Sequence, residues 1–172
     1  MRTCHVLLAY VTPKLPNSWW DQEVGSALGR CIPVIPVNAG LQPYGFFGSV
    51  QSLPADARPS LALAIFRAIA VSCFRGPSPP GAAAAPTVAQ TIVQAFCLSG
   101  SYESTRQRFP FLELIPAAHW TDEMISELEL ATDNNEQIYE AGLRTPRQPA
   151  PGAVRELVAR LRQQRSGSAT RS

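Results

Sequence analysis

The residues best suited to chemistry stand together in the run Ser18-Trp19-Trp20-Asp21-Gln22-Glu23. Trp19 precedes Glu23 by one helical turn, so on a helix the two side chains share a face. A large aromatic can wall a pocket and exclude water, which strengthens the field of a neighbouring acid. Such a carboxylate can stabilise the positive charge that develops on a sugar as a glycosidic bond breaks, and it needs no metal to do so. Taken alone, the pair is a weak signal. An isolated acid on a helix is ordinarily a solvated surface residue, and a tryptophan is ordinarily core. Tyr44, Phe46 and Phe47 read more readily as a small hydrophobic cluster than as a stacking platform.

No metal is expected. Cys4, Cys31, Cys73 and Cys97 lie far apart in or beside apolar segments, and no C-x-x-C occurs. His5 and His119 are not spaced to complete a zinc site. The four cysteines therefore read as reduced core thiols, in keeping with a reducing cytosol.

The elements that must position Trp19 and Glu23 are legible as alternating apolar runs. Residues 4–12 are apolar, partly β-branched and stopped by Pro13, the pattern of a strand buried on both faces. Ser18 is a credible N-cap for a helix running to about Arg30, with Asp21 placed to imitate a capping box. Trp20, Val24, Ala27, Leu28 and Cys31 recur at helical spacing and form its buried stripe. Residues 32–37, IPVIPV, give a second buried strand whose two prolines suggest an edge or a strand end. Residues 38–53 form a loop rich in Gly, Pro and aromatics, and Asp56 can start a helix reaching Phe74. Strand, helix, strand, helix is a piece of a parallel α/β sheet. Two strands do not make a stable parallel sheet, so further strands are expected, supplied from elsewhere or from sequence upstream.

The rest of the chain differs in character. Residues 76–87, GPSPPGAAAAPT, have the composition of a linker. Helices are expected over 87–98, over 101–108, from a Thr121 cap towards Ile138, and around Val154, Leu157, Val158 and Leu161. Pro146, Pro149 and Pro151 mark a break before the last of these, and residues 166–172 are expected to be disordered. No Lys or Arg occurs from Pro110 to Leu143, where acids are frequent after Asp122, whereas seven arginines follow Leu143 against Glu156 alone. Pairing of an acidic helix with a basic one is the simplest consequence. The arginines are not interleaved with aromatics, so nucleic acid is not an expected partner.

The 172 residues carry 45% hydrophobic residues, 16 prolines and a net charge of +2. That suffices for one ordinary domain or a small domain with an appendage. The N-terminal apolar run is short and lacks a small-residue cleavage site. The stretch from Leu61 to Phe74 is interrupted by Arg67 and is too short to span a bilayer. A soluble, cytoplasmic protein without a membrane partner is expected.

As a spaced set, Val11-Thr12-Pro13, Trp19, Glu23, the strand at 32–37 and the loop Leu41-Gln42-Pro43-Tyr44-Gly45-Phe46 resemble a Toll/interleukin receptor homology (TIR) domain of the bacterial type. The resemblance covers residues 1–75 and corresponds to the C-terminal half of that domain. It implies an incomplete flavodoxin-like fold, with parallel strands and flanking helices, followed by an α-helical tail. The division it suggests is a partial TIR domain at 1–75, a Pro/Ala/Gly linker at 76–87, a helical extension at 88–165 and a disordered tail at 166–172. The extension, with Asn135 to Tyr139 following an acidic helix, is similar to a segment accompanying some bacterial TIR proteins. For function, the resemblance implies cleavage of NAD into nicotinamide and an ADP-ribose product in signalling or defence. Glu23 would be catalytic, Trp19 substrate-binding, and NAD a substrate rather than a cofactor. Self-association or binding to other TIR domains is also implied. The alternative within the same family is a non-catalytic protein-interaction module.

Overall fold

The computed structural model describes residues 4–14, 18–42, 52–57, 60–143 and 148–169, with side chains omitted at 18–19, 142–143, 148 and 165–169. It divides into two compact units, Met1–Ala85 and Pro86–Ser172. The first is α/β and carries a small parallel sheet; the second is mainly helical.

In the first unit β1 (Leu7–Val11) leads through α1 (Ser18–Gly29) to β2 (Val34–Asn38), which pairs parallel to β1 with Leu7 opposite Val34 and Val11 opposite Asn38. A third, two-residue strand, β3 (Leu53–Pro54), pairs parallel to the end of β2, giving the order β1-β2-β3. Alternation of side chains across the strands divides the sheet into two faces. Ala9 and Val11 are buried with Val24 of α1, and Leu7, Trp20, Val34 and Leu41 pack around them. Ile35 and Val37 point to the other face and are also buried, whereas their β1 neighbours Leu8 and Tyr10 are 46% and 48% exposed. The helix that follows β3, α2 (Leu61–Arg75), packs on β2 and β3.

The middle position of β2 corrects the edge expected from its prolines, whereas the strand-end alternative holds for Pro33, which immediately precedes β2. The amides of Ile35, Val37 and Ala39 face β1, as the bond from the Ala39 amide to the Val11 carbonyl shows. Pro36, lying between them in the alternation, directs its missing donor to the opposite side. There the ladder to β3 begins only at Val37, so no bond described on that side is lost.

The stripe expected on α1 holds at its centre: Val24 and Ala27 are buried and Trp20 is half-buried. Leu28, on its flank, remains 36% exposed. Cys31 lies beyond the helix and is exposed, so it is not the core thiol expected. It sits at φ 55°, where the chain reverses. The Cys31 amide bonds to the Leu28 carbonyl and the Ile32 amide to the Ala27 carbonyl. These are the two bonds of a Schellman ending, and the accompanying apolar pair is Ala27 with Ile32, both buried.

Helix α2 begins later than its expected start at Asp56, because Ser60 is the cap and its hydroxyl accepts from the Leu63 amide. The run expected as a linker is helical from Pro79 onward, within α3 (Pro79–Cys97). Two effects offset its proline content. Pro79 and Pro80 occupy the first turn, where a missing N–H costs nothing. The alanines at 82–85 are the strongest helix formers. Only Pro86 is interior. The boundary between the two units falls immediately before it.

In the second unit the remainder of α3 is joined by α4 (Tyr102–Leu112), α5 (Asp122–Asn134), the single turn α6 (Glu136–Tyr139) and α7 (Ala150–Ala169). Phe96 and Phe109 meet edge to face at 6.2 Å in a core that includes Ile92, Leu112, Met124, Leu128 and Ile138. Helix α4 passes its expected end at Arg108. Ser101 and Ser104 form a capping box at its start, and Phe109, Phe111 and Leu112 are buried at its end. Thr121 caps α5 as expected, accepting from the Met124 amide. Asn135 then interrupts the helical run and caps α6. The expected proline break contains a short antiparallel pair, β4 (Gly142–Leu143) with β5 (Gln148–Pro149). Helix α7 starts directly after it, with Pro151 in the first turn. It continues to Ala169, so residues 166–169 of the tail expected to be disordered are helical. Among the described residues no single helix is long and apolar enough to cross a membrane.

Candidate functional site

In a parallel α/β sheet the site-forming edge is the one at the carboxyl ends of the strands, where loops and helix N-termini converge. In the first unit that edge is built by the turns after β1 and β2. The Ala39 amide bonds to the Val11 carbonyl at 2.9 Å, carrying the pairing one residue past β2. Asn38 then turns the chain: its Oδ1 accepts from the Gly40 amide at 2.9 Å. Gly40 has φ 106°, a conformation that side chains disfavour, and a Cβ there would touch the Pro13 ring at 3.4 Å. Pro13 and Gly40 thus bring together the loops following β1 and β2. On the other flank of β2, the Asn38 carbonyl accepts from the Ala55 amide.

Helix α1 starts from this edge. Glu23 occupies its second turn, roughly 7–8 Å along the axis from Ser18 at 1.5 Å per residue. It is exposed, on the flank of the buried stripe and one turn before buried Ala27. Trp19 lies one turn earlier on the same helix, but its side chain is outside the described residues. So are Tyr44, Phe46 and Phe47 in the loop after β2. The backbone therefore places Trp19 at the start and Glu23 at the middle of one helix, whose N-terminus lies at the carboxyl-end edge of the sheet. An exposed carboxylate can accept hydrogen bonds from hydroxyls and stabilise a neighbouring cation.

Among the described residues no group of three or more His, Cys, Asp or Glu is arranged to hold a metal. The thiols of Cys73 and Cys97 are buried. Burial raises the Cys73 pKa, and burial together with the Glu127 charge pushes Cys97 up to about 12. Both are thereby held as thiols, the less nucleophilic form.

A concavity lies in the helical unit, between α5 and α7. It has a volume of about 380 Å³ and is lined by Glu129, Thr132, Asp133, Val154, Arg155 and Val158. Arg155 pairs with Asp133 at 3.2 Å and Arg162 with Glu129 at 2.7 Å. The expected pairing of acidic and basic helices is realised in these two bridges, and their order requires α5 and α7 to run antiparallel. The Thr132 hydroxyl donates to the Leu128 carbonyl of its own helix. Both ion pairs are largely exposed, so each contributes at most about 1 kcal/mol. The sequence announced the charges of this cleft through their segregation. It did not announce the Asn38–Gly40–Pro13 arrangement, because Gly40 in a Gly/Pro-rich loop carries no sign of which proline it meets.

No family model, curated protein or solved structure matches the chain.

Proposed function

We propose that residues 1–75 belong to a TIR-type α/β domain that cleaves NAD, with Glu23 as the catalytic carboxylate and Trp19 as a wall of the substrate pocket. The observation that carries the reading is the placement of Glu23 on α1. It lies one turn after Trp19, on the helix that connects two parallel strands. In this proposal β1, β2 and β3 are three of the five strands of a flavodoxin-like sheet, and a cytoplasmic location goes with it.

The chemistry asks little of the protein. The bond between C1′ of the ribose and the cationic ring nitrogen of nicotinamide breaks, and its electron pair leaves with the ring as neutral nicotinamide. The ribose is left oxocarbenium-like. Glu23 would accept hydrogen bonds from the ribose hydroxyls and stabilise that charge. Water adds at C1′ and releases a proton, giving ADP-ribose. Trp19 would exclude other water from the cleft and so strengthen the field of the carboxylate. No resident cofactor enters these steps.

The test is nicotinamide release from NAD, followed chromatographically, for the chain and for Glu23→Gln. Loss of a charge-stabilising group of this kind lowers turnover by about 10²–10³-fold. Equal release by both proteins would end the catalytic assignment. Glu23 is solvent-exposed, and that exposure equally suits a contact surface, so the second reading is a non-catalytic interaction module. It is favoured if the folded chain releases no nicotinamide yet associates with itself or with other TIR domains in sedimentation measurements.

A further inference from the structure

We draw no further inference here: the strongest candidate, the apolar face of β1 carrying exposed Leu8 and Tyr10 at the side of the sheet, carries nothing because no feature of the structure shows what covers it.

Discussion

Cys31 occupies the position after a helix that favours glycine above all other residues. Its φ of 55° is left-handed, and for a residue bearing a Cβ that conformation costs about 1–2 kcal/mol. The strain is sustained by the two Schellman bonds and by the burial of Ala27 and Ile32. Because the thiol is exposed, removing it sacrifices little packing. Cys31→Gly is expected to raise stability by about 1 kcal/mol, seen as a higher midpoint in urea with an unchanged slope. A lower midpoint would contradict the assignment of strain. Glu23 presents the opposite case. It is exposed, and substitutions at such positions usually shift stability by no more than about 0.5 kcal/mol. Glu23→Gln should therefore melt like the parent protein, so that a difference between the two in the proposed nicotinamide release would report chemistry rather than unfolding.

At the scale of elements, the helical unit relies on one asparagine to join three pieces of chain. The Asn135 amide nitrogen donates to the carbonyls of Cys97 and Ser99 at the end of α3, and its oxygen accepts from the Gln137 amide to cap α6. Asn135→Ala removes all three bonds and leaves the carbonyls to water or to nothing. A cost of about 1–3 kcal/mol is expected. Asn135→Ser retains a cap acceptor but is too short to make both donations, so its cost should fall between alanine and the parent. Thermal denaturation of the three proteins checks that order. Pro86 is a second element-level feature. Inside α3 it cannot donate to the Ala82 carbonyl, and its ring is exposed. Pro86→Ala should restore one helical bond and raise the melting temperature; a fall would mean that the proline ring contributes packing that outweighs the lost bond.

At the scale of the whole molecule, burial sorts four chemically identical thiols into different classes. Cys31 is exposed, Cys4 is partly buried, and Cys73 and Cys97 are buried. A thiol reagent should label Cys31 quickly and Cys97 only as the protein opens. The pH dependence follows with a definite sign. Cys97 has a folded-state pKa raised from near 9 to about 12, so the unfolded chain gives up its proton first. The stability linked to the protonated thiol is therefore fully present below about pH 9 and is lost as the pH rises towards 12. Replacing Cys97 with Val should flatten the decline measured in that window, and an equally steep decline in the variant would show that other groups govern it. The same dependence on environment separates what the chain announces locally from what it does not. Residue order alone determined the parallel strand–helix–strand unit, the Thr121 cap and the opposed charges of α5 and α7, because apolar period, cap chemistry and charge are local properties. Tertiary structure decided that β2 is central despite Pro36, that the Pro/Ala run at the boundary between the units is helical, and that Cys31 faces solvent. Each of these turns on which partner lies across from a residue, and a residue's position along the chain carries no record of its neighbours in space.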